Sequence, residues 1–187
     1  MSEKFEEMIH DEILAILDGE DPTEAKAIAE LNQRIYEESK KYVNKVSSEW
    51  PHIIFNWDVS SSSQRFSLDG VTQEQFENDH PEGFLLGYVS LKEFDSILHI
   101  CSRRDHGELW QLGSRSKLAR LVIYLSENRP ISPPLVKSIS DREVILQGGH
   151  HRYAIAKELT QEKIPIYVAP AEKNQIDKLL TVEWKNA

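Results

Sequence analysis

A strand, a glycine turn and a helix start follow one another in the second half of the chain. The apolar run Val144-Ile145-Leu146 leads into Gly148-Gly149-His150-His151-Arg152-Tyr153, and a helix-like stretch follows from Ala154 to Leu159. Paired glycines let a backbone turn sharply and approach a ligand closely. The first amides of a helix have no intrahelical partners, and the helix dipole favours negative charge in front of them. Two imidazoles and a guanidinium at that point add donors suited to phosphate oxygens. Alone, the same residues also describe a plain turn with a solvated basic helix start, and a short motif does not separate the two.

The distribution of charge favours an anionic ligand for this half. The 187 residues carry a net charge of -9, with 22 Lys and Arg against 31 Asp and Glu. Residues 1–99 hold 8 basic and 21 acidic side chains, whereas residues 100–165 hold 11 and 7. The net acidity argues against a general nucleic-acid coat protein, whose binding is dominated by cations. The basic block nevertheless contains the glycine–histidine turn, and the acidic first half is free for contacts of another kind.

The length suits one domain with appendages. No apolar run is long enough to span a membrane, and Met1-Ser2-Glu3-Lys4-Phe5-Glu6-Glu7 lacks the charged-then-apolar order of a leader. A single cysteine, Cys101, excludes an internal disulfide and fits a reducing compartment. The expectation is a soluble, cytoplasmic protein. Cys101 lies in the apolar run from Ile97, which predicts a strand and a buried, inert thiol.

Helical spacing of Phe5, Met8, Ile9, Ile13, Ile16 and Leu17 predicts a first helix ended by Gly19. Asp21-Pro22-Thr23-Glu24 starts a second with a capping Asp and a Pro at the first helical position. Ile28, Leu31, Ile35, Tyr42, Val43 and Val46 extend its stripe to about Ser47. Residues 1–50 therefore read as a helical hairpin whose apolar face packs on the rest of the chain. From 51 to 187 the pattern is mixed. Strands are predicted at His52–Val59, Phe84–Val89, Leu135–Val136, Val144–Leu146 and Lys163–Val168. Helices are predicted at Gln73–Asn78, Leu91–Phe94, Ser116–Ser126 and Ala171–Leu180. Ser60 to Ser63 reads as a loop, and the turn at Ser140-Asp141-Arg142 pairs the third strand with the fourth. Elements without strict alternation give an α+β fold class. Asp79, His80 and Glu82 include metal-ligating types, but packing around Pro81 and Gly83 marks a plain turn.

From about Tyr88 to Leu180 the chain resembles the ParB/sulfiredoxin superfamily. Tyr88-Val89-Ser90-Leu91 is similar to the opening of that domain, and Lys117 to Leu125 to its first helix. Pro133-Pro134-Leu135-Val136 is similar to the following strand. Leu146 to Ala154 resembles the signature turn, and Glu162-Lys163-Ile164-Pro165-Ile166 the closing strand. The resemblance implies a ParB/sulfiredoxin-like domain at 51–187, with its core at about 84–180. It also implies nucleotide contacts by Gly148, Gly149, His151 and Arg152, with Lys117 at the phosphate-binding lysine and Arg120 adding charge where sulfiredoxins have a hydroxyl. Tyr124 replaces a second hydroxyl.

Sulfiredoxins use a cysteine directly after the glycines; His150 stands there instead, which excludes that chemistry. Chromosome-segregation members carry a helix-turn-helix domain for which the chain ends too soon. Free-serine kinases of the superfamily use a carboxylate near the domain opening, where Glu93 and Asp95 lie. In build the chain is most similar to plasmid oncogenic-suppression or fertility-inhibition proteins. They are associated with ATPase and DNase activity and with blocking export through conjugative type IV secretion.

The function expected on these grounds is a nucleotide-binding phosphohydrolase using ATP, with magnesium as the accompanying ion. His150, His151 and Arg152 are the catalytic candidates, His150 as general acid or base. Asp141 and Glu143 come just before the strand that leads into the motif and are the candidates for a magnesium ligand. DNA backbone would be gripped by the same cationic residues. The alternatives are a non-catalytic interaction protein, whose acidic hairpin binds a component of a transfer or secretion machinery, and a small-metabolite kinase. The oligomeric state is left open.

Overall fold

The computed structural model describes residues 22–185 apart from 69, 106 and 112. The fold is mixed α+β. In chain order its regular elements are α1 (Pro22–Ser39), β1 (Asn56–Trp57), α2 (Gln73–Asp79), β2 (Leu85–Ser90), α3 (Leu91–Ile97), α4 (Arg115–Ser126), β3 (Pro130–Ile131), β4 (Leu135–Ser138), β5 (Val144–Gly148), α5 (His150–Glu158), β6 (Lys163–Val168), α6 (Lys173–Leu179) and β7 (Glu183–Trp184). Five strands form one sheet in the order β5-β4-β6-β2-β7, and β1 pairs parallel with β3 apart from it.

β6 is the centre of the sheet because its residues are apolar without interruption. Every residue from Ile164 to Val168 is buried, as a strand covered on both faces requires. It runs antiparallel to β2, from Leu85 opposite Val168 to Ser90 opposite Lys163, and parallel to β4 at Tyr167 and Val168. Pro165 has no N–H to give a ladder, and it lies beyond the stretch that β4 pairs with. Alternation along β6 sends Ile164, Ile166 and Val168 into the main core with Val89, Phe94, Leu118, Tyr153, Ile155 and Ile176. Tyr167 goes to the other face, with Phe76, Phe84 and Leu135. Each such side chain, fully buried, stabilises the fold by roughly 1.5–3 kcal/mol before chain entropy is counted.

On that second face, α2 is set by a capping box in which the Thr72 hydroxyl accepts from Gln75 N–H and the Gln75 side chain accepts from Thr72 N–H. His80 packs its ring against Phe84 and Phe76 at 4.7 and 5.4 Å between centroids. The Asp79–Glu82 turn is thus an aromatic plug, and among the described residues no three His, Cys, Asp or Glu side chains gather as a metal site.

The first helix of the expected hairpin lies outside the described residues. The second is α1, and it ends at Ser39 rather than near Ser47. The Ser39 hydroxyl bonds back to the Tyr36 carbonyl, a 3-10 turn follows at Lys40–Tyr42, and Asn44 takes a left-handed φ of 63°. Of the predicted stripe Ile35 is buried, whereas Ile28 and Val46 are exposed. α1 is held to α4 by Arg34, whose guanidinium donates to both carboxylate oxygens of Glu127 at 2.6 and 2.8 Å. Further on, the Lys45 carbonyl accepts from both Trp50 and Trp110 indoles, joining the end of the N-terminal segment to the core.

Two predicted strands are much reduced. Of His52–Val59 only Asn56 and Trp57 pair, extended by Asp58 N–H to the Ile131 carbonyl. Ile97–Cys101 is the end of α3 followed by a single bridge from Leu98 to Val144. Ser61–Ser67 is a 3-10 turn in place of the predicted loop. No helix among the described residues is long and apolar enough to cross a membrane.

Candidate functional site

β5 ends at Gly148, and Gly149 turns the chain with φ 85° and ψ 19° into α5. A side chain fits at neither glycine. A Cβ on Gly149 would lie 2.7 Å from Pro134 Cα, and one on Gly148 would lie 1.9 Å from the Ser67 carbonyl oxygen. The close approach that the sequence leads one to expect is therefore, for Gly148, an approach to the protein's own 61–67 turn. That contact brings the 3-10 turn against the start of α5 and creates a cleft of about 850 Å³.

The candidates around the glycine turn and on the predicted helix before it all line this cleft: Lys117, Arg120, Gly148, Gly149, His150, His151 and Arg152. Lys117 and Arg120 come from α4. The Ser114 hydroxyl caps that helix by accepting from Lys117 N–H at 3.2 Å, which places Lys117 in its first turn and Arg120 one turn on. Leu121 and Tyr124 continue the same face into the cleft. α4 and α5 thus each present a first turn to one cavity, with the favourable dipole that a helix start offers an anion.

His150 Nε2 lies 3.3 Å from the hydroxyl of Ser102, a fully buried residue whose Oγ also accepts from Leu146 N–H at 3.2 Å. The imidazole is thereby tied to the edge of β5. Arg152 is more deeply committed. Its guanidinium donates to the carbonyl and the hydroxyl of Ser132, and to the Phe66 carbonyl at 3.1 Å. It staples the 61–67 turn to the chain before β4, so a structural duty stands beside any contact it makes with a ligand.

The remaining sequence candidates are elsewhere. Asp95 accepts from the Tyr153 hydroxyl and from Lys157 Nζ at 2.8 Å, and Glu93 accepts from Thr181 N–H at 2.9 Å. Neither is among the residues lining the cleft. Burial first, and then the Asp95 carboxylate, push the Tyr153 hydroxyl well above the usual tyrosine range. Asp141 and Glu143 precede β5, at the end opposite Gly148, and they too lie outside the cleft. Cys101 corrects an expectation. It is exposed and lines the cleft, because the chain turns outward after Leu98 and leaves Ile100 exposed as well.

Sequence reasoning missed several polar contributors, among them Arg104, Asp58 and Ser132. Arg104 adds a fourth cation to Lys117, Arg120 and Arg152, and Asp58 and Ser132 come from segments far away in sequence. Asp58 Oδ1 accepts from the N–H and the hydroxyl of Ser60 at 3.0 and 2.6 Å. An Asp followed two residues later by Ser is a local sign of such an Asx turn. Nothing local says that the turn faces the glycine segment. Among the described residues the cleft is a cationic cavity with two imidazoles and one carboxylate, suited to holding phosphate oxygens and to moving a proton. Comparison with protein-family models, with curated proteins and with solved structures found no match to this chain.

Proposed function

We propose that the protein is a nucleotide-binding phosphohydrolase, an ATPase with DNase activity that uses the same grip on phosphate. The observation that carries this reading is the convergence of Lys117 and Arg120 on α4 with Gly148 to Arg152 at the start of α5, in one cleft large enough for a nucleotide. In this reading Lys117, Arg120 and the first amides of α5 hold the polyphosphate, and Arg152 fixes the wall behind it. Water attacks the terminal phosphorus, the bond to the bridging oxygen breaks, and ADP leaves with the electron pair. His150 accepts the proton of the attacking water, and the cations stabilise charge on the phosphoryl oxygens. Magnesium is the proposed ion, and when bound it neutralises charge on those oxygens. On DNA the same groups would grip a backbone phosphodiester.

The ordered resemblance to the ParB/sulfiredoxin superfamily supports the reading. The similarity in build to oncogenic-suppression proteins supports a cytoplasmic, plasmid-encoded inhibitor of conjugative or type IV secretion transfer. A second reading, a nucleotide-responsive interaction protein without catalysis, is favoured by one observation: Asn32 and Ile35 of α1 line the cleft, so occupancy touches the N-terminal extension directly.

Incubation with ATP and Mg²⁺, and separately with linear DNA, tests both. Phosphate release or degradation that disappears in the His150→Ala/Lys117→Ala variant supports the hydrolase. Binding without turnover supports the interaction protein. Turnover that persists unchanged in the variant contradicts the site assignment, and ADP formed only with an added acceptor indicates a kinase.

A further inference from the structure

We infer that Asp58 holds the divalent cation of the bound nucleotide, an inference that rests on the nucleotide reading of the cleft. Asp58 is the one carboxylate among the described lining residues, in a cleft also lined by Arg104, Lys117, Arg120 and Arg152. In a cavity built to attract phosphate, a bare carboxylate works against the ligand unless a cation lies between them.

Its hydrogen bonding suits that task. Both contacts from Ser60 fall on Oδ1, and Oδ2 accepts from no described residue. One oxygen is anchored and the other is offered. The backbone is fixed too: Asp58 N–H donates to the Ile131 carbonyl at 2.8 Å, and the Asp58 carbonyl accepts from the buried Ser63 hydroxyl at 2.7 Å. Ser132, next to Ile131, accepts from Arg152, so Asp58 stands on the wall that Arg152 staples to α5.

The donor set also selects the ion. No cage of three His, Cys, Asp or Glu exists among the described residues, which disfavours a resident zinc-type site. Mg²⁺ instead keeps several waters and takes one or two carboxylates together with substrate phosphates. A single anchored carboxylate fits an ion that arrives with its nucleotide. Asp58 precedes the stretch from about Tyr88 to Leu180 that resembles the superfamily, so this ligand lies outside the motifs that carry the resemblance.

A charge cycle tests the assignment. The full chain is titrated by calorimetry with a non-hydrolysable ATP analogue, once with Mn²⁺ and once with EDTA, and Mn²⁺ uptake is followed by electron paramagnetic resonance. Asp58→Asn keeps the Oδ1 acceptor for Ser60, and thermal unfolding checks that it folds. With Mn²⁺ the variant should bind the analogue about tenfold more weakly than wild type, the loss of one charge-assisted contact. In EDTA it should bind as well as wild type or more tightly, because a like charge has gone. Equal weakening in both conditions, or an Mn²⁺ signal unchanged in the variant, overturns the role of Asp58 and leaves the cleft intact. A wild-type chain that binds the analogue in neither condition overturns the nucleotide reading itself.

Discussion

Gly148 packs on the carbonyl oxygen of Ser67 so closely that a Cβ at Gly148 would lie 1.9 Å from it. The turn that starts α5 and the turn that forms the facing wall of the cleft are thus one packed unit. A methyl group there must push the 61–67 backbone away, and no flexible side chain is present to yield. Gly148→Ala should cost about 3 kcal/mol, at the upper end of ordinary overpacking, read as a lower urea midpoint. Stability within about 0.5 kcal/mol of wild type would mean that the two turns are not in contact.

Arg152 should behave as a structural residue before it behaves as a ligand contact. Arg152→Ala leaves the Ser132 carbonyl and hydroxyl and the Phe66 carbonyl without their charged donor. The expected loss is about 2–3 kcal/mol in the absence of any ligand, together with loss of nucleotide binding. Arg152→Lys keeps the charge but not the fork, and should recover little of the stability. Thermal unfolding of the ligand-free variants checks this, and an unchanged melting temperature would remove the staple.

Docking of α1 on α4 should depend on acid. The two hydrogen bonds from Arg34, helped by Arg129, hold the Glu127 carboxyl down at about 2, below its ordinary 4.5. A carboxyl lowered in the folded state contributes stability above its unfolded value and loses it as the pH falls through the folded one. Wild type should therefore exceed Glu127→Gln by about 0.5–1 kcal/mol near neutrality, the scale of a partly exposed ion pair. The difference should shrink between about pH 4.5 and pH 2. Hydrogen exchange of the α1 amides in the two proteins follows it, and a difference independent of pH would exclude the ion pair as its source.

Asp95 gives the opposite kind of prediction. It ties α3 to α5 through Tyr153 and Lys157 and does not line the cleft. Asp95→Asn should lower stability by about 1–3 kcal/mol, because Lys157 loses its ionic partner, while nucleotide affinity stays within about twofold. A variant of normal stability with no turnover would instead make Asp95 the base of a kinase.

What could be seen in the sequence follows the range of the interactions involved. β6 is predicted at Lys163–Val168 and found there, because a continuous apolar run bounded by turns needs only a central position. α4 and the pairing of β4 with β5 are equally local. The gathering of Lys117 and Arg120 with the glycine turn was implied only by the resemblance and its ordered motifs. Asp58 was hidden because its partner on the cleft wall, the Ile131 carbonyl, is far off in sequence and no periodicity marks it. Cys101 and His52–Val59 misled for a shared reason. Apolar runs imply burial in a strand, yet Ile100 is exposed, and Ile53 and Phe55 pack against the core without a strand partner. α1 stops early because Ser39 hydrogen-bonds its own helix, a competition that the apolar spacing of Tyr42 and Val46 does not register.

The central claim is that α4 and the start of α5 grip one polyphosphate, and Lys117 and Arg120 test it without disturbing the Arg152 staple. Calorimetric titration of wild type, Lys117→Ala, Arg120→Ala and the double variant with a non-hydrolysable ATP analogue and Mg²⁺ measures it directly. Each single change should weaken binding about tenfold and the double change about a hundredfold. Affinities equal to wild type in all three variants would contradict the assignment of the cleft.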